Sequence, residues 1–125
     1  MNLYSPYKGK KGLKRIFAAT GYSLSGFKAA FKNEAAFRQI LLLNIILIPL
    51  SFFINVTAIE QALMIAVCLL AIIIELINSA IEAIVDRISL EKHELSKNAK
   101  DMGSASQFMA LLIIFSTWSI ILINL

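Results

Sequence analysis

The sequence predicts an all-α membrane protein in which an N-terminal amphipathic surface helix precedes three transmembrane helices, and three observations carry that prediction. Of the 125 residues, 58% are hydrophobic and only 16% are charged, too little polar surface to keep a soluble domain of this size in solution. The charges are also segregated. Eight of the twelve Lys and Arg (Lys8, Lys10, Lys11, Lys14, Arg15, Lys28, Lys32, Arg38) precede residue 39, and the other four (Arg87, Lys92, Lys97, Lys100) lie between 87 and 100. Between these stretches the only charged residues are Glu60, Glu75, Glu82 and, at the end, Asp86, and after Asp101 no side chain is charged. A mean hydropathy of +0.76 argues against a disordered tail, a nucleic-acid-binding arm or a disulfide-stapled module. The lone Cys68 sits inside an apolar run and reads as an inert thiol buried in the membrane.

Residues 12–36 read as the surface helix. Leu13, Ile16, Phe17, Leu24, Phe27 and Phe31 recur at mostly helical spacing with Lys14, Arg15, Lys28 and Lys32 between them, so one face suits lipid and the other anionic headgroups. Gly21 and Gly26 weaken this helix and leave two shorter pieces as an alternative. The first span is expected at 37–56, the second at 58–86 and the third at 102–124, each close to the roughly 20 residues that cross about 30 Å of hydrocarbon. Pro49 deprives the Ile45 carbonyl of its partner; a bend is expected there, not an end. A short turn from Ser51 to Thr57 follows. Both basic stretches flank the same side, so the N-terminus and a charged loop at 87–101 are expected in the cytoplasm, with the turn near Asn55 and Glu60 and the C-terminus outside. The first 35 residues hold no long apolar core of the kind a cleaved signal peptide needs.

The second span carries the chemistry. From Glu75 the polar residues Asn78, Ser79, Glu82 and Asp86 follow at offsets of 3, 4, 7 and 11, which at 100° per residue all fall within about 60° of Glu75. Glu82 and Asp86 have a plainer explanation at the headgroup boundary, and Asn78 as a bond between helices. That explanation fails for Glu75, about 16 Å of helix rise from Asp86. An ionisable group in a span costs at least about 2.5 kcal/mol, and a carboxylate held there is suited to accepting a proton. In the loop, most charges read as a solvated turn and His93 alone carries little weight. Lys100 and Asp101 are more distinctive, because Gly103, Ser104, Ala105 and Ser106 follow and would let the third span approach the polar stripe. No P-loop is present: after Gly21 and Gly26 the required Gly-Lys-Ser/Thr is missing. Any nucleotide must then be held by carboxylates through Mg²⁺ and by Lys or Arg. Three spans are too few to enclose such a site, which points to an oligomer.

Three motifs in order now resemble one family. Asn33-Glu-Ala-Ala-Phe-Arg-Gln39, then Glu75-Leu-Ile-Asn-Ser-Ala-Ile-Glu-Ala-Ile-Val-Asp-Arg87, then His93-Glu-Leu-Ser with Ala99-Lys-Asp-Met-Gly-Ser-Ala105 are similar to bacterial diacylglycerol kinases, from about Arg15 to the C-terminus. The resemblance implies a homotrimer of three-span subunits in the inner membrane, with sites shared between neighbours, moving the γ-phosphoryl of MgATP to diacylglycerol to give phosphatidic acid. It implies Glu75 as general base and Glu34 and Glu82 as the carboxylates that hold Mg²⁺ with the ATP phosphates. Arg15, Tyr22, Glu91, His93, Lys100 and Asp101 are implied around the nucleotide, and Arg15, Ser23, Asn78 and Ser104 near the lipid. Leu24 and Phe31 stand where better-known members have tryptophan. A related branch phosphorylates undecaprenol and tends to have proline where this chain has Glu94; Met102-Gly103-Ser104 favours the diacylglycerol branch. A reading of another class is a small proton-coupled transporter built on a lone membrane glutamate, which would need neither Glu34 nor the Lys100-Asp101 pair.

Overall fold

The computed structural model describes residues 11–125; Lys8 and Lys10 of the basic leader lie outside the described residues. Four helices follow in order, α1 (Leu13–Asn33), α2 (Ala35–Ser51), α3 (Ala58–Ile88) and α4 (Glu94–Ile123). α3 and α4 are each long and apolar enough to cross a membrane, and α1 with α2 reaches that standard only as a pair, bent by 109° at Glu34.

α1 runs without a break through Gly21 and Gly26, so the two-piece alternative does not hold. Two glycines cost a helix about 1 kcal/mol each relative to alanine, which the remaining good helix formers of this 21-residue segment absorb. Its apolar side chains face outward: Leu13, Phe17 and Leu24 are all well exposed, and Ala30 alone is buried. A helix that buries so little against its own chain suits a lipid interface. It stops where Glu34 turns extended, its N–H still bonded to the Ala30 carbonyl at 2.9 Å. Arg38 then reaches back from α2, and its Nη1 donates to the Phe31 carbonyl at 2.6 Å and the Lys32 carbonyl at 3.3 Å, satisfying two acceptors that the helix end leaves open.

α2 departs from expectation at its far end. It stops at Ser51, two residues after Pro49, where a bent continuation was expected. The missing proline N–H loosens the last turn, Ser51 Oγ donates to the Ile48 carbonyl at 2.7 Å, and Phe52 and Phe53 bond back three residues to Pro49 and Leu50. At 17 residues the helix is about 26 Å long. Its buried face carries Phe37, Ile40 and Asn44; Asn44 Nδ2 donates to the Ile40 carbonyl at 3.0 Å.

α3 opens with a capping box in which the Thr57 N–H donates to Glu60 Oε1 at 2.9 Å and the Glu60 N–H donates to Thr57 Oγ1 at 3.2 Å. Two orphan donors are thereby satisfied at the start of a 31-residue helix. α4 begins earlier than the sequence suggested, at Glu94 within the segment read as a solvated loop, so the irregular link shrinks to residues 89–93. His93 is the reason: its Nδ1 accepts from the Leu95 N–H at 3.1 Å and caps the helix, and Glu94 follows in the first turn.

α4 packs most extensively on α3, α2 covers the adjoining face of α3, and α1 touches the bundle lightly. The core joins Met64, Cys68 and Ala71 of α3 to Ala110, Ile114 and Trp118 of α4 and to Ile40 of α2. Cys68 is fully buried there, as expected. Trp118 Nε1 donates to the Met64 carbonyl at 3.2 Å, so this large side chain is buried with its one polar atom satisfied. Toward the other end Gly103 lies directly on the Asn78 side chain, leaving no room for a Cβ. Of the four small residues after Asp101, Gly103 alone makes the close approach; Ser104, Ala105 and Ser106 are exposed.

Candidate active site

The polar stripe of α3 follows the helical arithmetic. Glu75, Asn78 and Ser79 are buried, Glu82 is half-buried and Asp86 is exposed, so polarity and water access rise together toward the link to α4. Glu75 is 2% exposed, and its Oε2 accepts a hydrogen bond from Gln107 Nε2 at 2.8 Å. The same Nε2 donates to the Ala71 carbonyl at 3.2 Å. Gln107 is the residue that sequence reasoning missed. Asn78 Oδ1, Ser79 Oγ and Gln107 Oε1 are buried with no hydrogen-bond partner, as is Asn44 Oδ1 on α2, and buried polar atoms of this kind call for an explanation.

Glu34 faces this stripe from the α1–α2 bend. It lines a cavity of about 460 Å³ with Ser23, Asn33, Leu76, Ser79 and the small residues Ala80 and Ala83, so α1 and α3 enclose a mostly apolar space with polar groups at its rim. Burial pushes the Glu34 carboxyl above its ordinary value, Glu82, Glu75 and Asp86 add like-charge repulsion, and Arg38 offsets part of it. Carboxylates that repel each other in this way suit a cation.

A second cavity, of about 880 Å³, opens at the link between α3 and α4 and is lined by Asp86, Glu91, His93, Lys97, Lys100 and Asp101 among others. Two ion pairs border it. Lys100 Nζ meets Asp86 Oδ1 at 2.7 Å, and Lys97 Nζ meets Asp101 Oδ2 at 2.5 Å. Lys100 and Asp101 are neighbours in sequence, but helical rotation of 100° gives each a different partner.

The residues expected around one site therefore fall into three groups. Glu75, Asn78 and the half-buried Glu82 belong to the α3 stripe, Ser23 and Glu34 to the cavity between α1 and α3, and Glu91, His93, Lys100 and Asp101 to the cavity at the link. Arg15, Tyr22 and Ser104 are exposed and line neither cavity. Among the described residues no group of three or more His, Cys, Asp or Glu could hold a metal ion. The mutual repulsion of Glu34 and Glu82 is still compatible with a magnesium ion that draws its other ligands from elsewhere, because Mg²⁺ is commonly held by one or two carboxylates and not by a complete protein cage.

Comparison with known proteins gives one family. Residues 21–122 match the prokaryotic diacylglycerol kinase family. The chain is 68% identical over 120 residues to a diacylglycerol kinase of Pseudomonas aeruginosa, covering 96% of this chain and 98% of that one. It is 55% identical over 111 residues to a diacylglycerol kinase of Haemophilus influenzae (89% of this chain, 94% of that one) and 47% identical over 111 residues to that of Escherichia coli K12 (89% and 91%). These relatives favour neither the undecaprenol kinase nor the transporter. With its all-helical architecture, its apolar helices and this match over most of its length, the chain belongs to the prokaryotic diacylglycerol kinase family and is embedded in a membrane.

Proposed function

We propose that this protein transfers the γ-phosphoryl of MgATP to the primary hydroxyl of diacylglycerol at the cytoplasmic face of the inner membrane. The observation that carries the reading is the buried Glu75 carboxylate, set on the same helix face as a charged mouth that holds Lys100 and Asp86. Diacylglycerol stays in the bilayer, so its hydroxyl meets a base placed below the headgroups. Glu75 takes the hydroxyl proton as the hydroxyl oxygen bonds to the γ-phosphorus. The bond from that phosphorus to the β–γ bridging oxygen breaks, and ADP leaves with the electron pair. Little covalent help is needed beyond positioning and charge stabilisation. Glu34 and Glu82 are the carboxylates that would hold Mg²⁺, which would supply positive charge to offset that of the transferring phosphates. Lys100 gives up its ion pair with Asp86 to meet phosphate, and Asp101, Glu91, His93, Arg15 and Tyr22 border the nucleotide. Asn78, Ser23, Ser104 and Arg15 border the lipid.

The exposure of Arg15, Tyr22 and Ser104 on a single subunit supports a homotrimer in which neighbours complete each other's sites. The N-terminus faces the cytoplasm in this arrangement, with ATP on the same side as the charged mouth. The test is direct: purified protein in mixed micelles with γ-labelled ATP and Mg²⁺, offered diacylglycerol or undecaprenol. Label is expected in phosphatidic acid. A clear preference for the polyprenol would overturn the substrate, and no label in either lipid would overturn the activity.

A further inference from the structure

Gln107 is a buried amide at the head of the apolar run of α4, 32 residues away from Glu75 in sequence and bonded to it in space. Its position follows from Gly103 one turn earlier, because the missing side chain there brings α4 onto Asn78 and lets the amide reach across the interface. Both protons of Nε2 are committed, one to Glu75 Oε2 at 2.8 Å and one to the Ala71 carbonyl at 3.2 Å. The amide is thus pinned between two acceptors one helical turn apart on α3. No donor among the described residues reaches Glu75 Oε1. One oxygen of the carboxylate is held and the other is open.

We infer that Gln107 is the positioning residue of the base: it fixes Glu75 through Oε2 so that Oε1 is presented to the lipid hydroxyl. The inference rests on the reading of Glu75 as general base. A carboxylate on a freely turning χ3 visits the productive angle only part of the time, and one anchored oxygen removes that loss. An amide suits the task because it donates without titrating, so it supplies no competing proton. Tying α4 to α3 is a separate matter, already served by the Trp118 bond to Met64 and by the contact at Gly103.

The experiment uses the full-length protein in lipid-containing micelles and compares Gln107→Met, which keeps the bulk and loses the donor, with Gln107→His, which keeps an N–H at similar reach. Readouts are kcat, KM for MgATP, KM for diacylglycerol and the thermal midpoint. Gln107→Met is expected to lower kcat roughly tenfold with both KM values unchanged, and Gln107→His to recover most of the loss. Wild-type kcat in Gln107→Met overturns the inference. So does an equal loss in both variants that tracks their thermal midpoints, which marks a structural bond only. Glu75→Gln separates this inference from the reading beneath it. If that variant is silent while Gln107→Met turns over normally, only the positioning role falls; if Glu75→Gln is active, the base lies elsewhere and both fall.

Discussion

The α3–α4 interface has two halves built to different rules. In one, Met64 and Cys68 are fully buried beside Ile114 and Trp118, and the Trp118 Nε1–H is bonded. In the other, Glu75, Asn78 and Gln107 are buried together, and Asn78 Oδ1 and Gln107 Oε1 have no partner. Each such atom costs about 1–3 kcal/mol relative to a bonded one. The same two helices therefore gain stability at one end and give some of it up at the other. Polar atoms left unmatched beside a buried carboxylate fit the role proposed for this face in binding a ligand.

The largest test of this contrast is Glu75→Gln. Turnover is expected to fall by about 10²–10⁴-fold, because an amide cannot take the proton, while the elution volume of the protein stays unchanged. Lipid phosphorylation and size exclusion read the two outcomes, and substantial residual activity would break the comparison at its polar end. Glu34→Ala and Glu82→Ala should each raise the Mg²⁺ needed for half-maximal rate or abolish activity; unchanged metal dependence in a titration removes them from the site. The apolar half predicts the reverse pattern. Trp118→Ala should cost about 3–5 kcal/mol of stability through the cavity it leaves, with KM for MgATP unaltered in the folded fraction. Gly103→Ala pushes a methyl group into Asn78 and should cost about 1–3 kcal/mol, read as a lower thermal midpoint. The smallest effect is expected from Lys97→Ala at an exposed i,i+4 pair, where the midpoint should not move measurably.

Charge placement and helical periodicity made much of this legible. The stripe from Glu75 to Asp86 needed only 3.6 residues per turn, and the apolar runs of α3 and α4 needed only their length. What escaped was set by side chains acting at a distance. The expected boundary between the surface helix and the first span, at 36 and 37, lies within three residues of the break at Glu34, but Asn33-Glu34-Ala35 contains no glycine or proline to mark the residue itself; the 109° bend is supported by Arg38 bonding back to the end of α1. Pro49 was legible, but whether a proline bends or ends a helix depends on the bonds around it, and here the Ser51 hydroxyl and two tight backbone turns end it. His93 drew notice as a nucleotide neighbour, while its hydrogen bond to Leu95 extends α4 into the expected loop. Gln107 was passed over because it stands off the α3 stripe and beyond the last motif, which ends at Ala105. Its signal was available all the same: it lies four residues after Gly103, on the face that meets α3.

The 31 residues of α3 make a rod of about 46 Å, well beyond the roughly 30 Å of a bilayer's hydrocarbon. Glu75 rides on it at a set height, about 26 Å from Ala58 and about 16 Å from Asp86. The glycerol groups have no such scale, since their level follows the acyl chains of the host lipid. The helix thus works as a ruler. Thinner or thicker membranes slide the alcohol past its mark, and turnover should peak at one bilayer thickness and decline on either side.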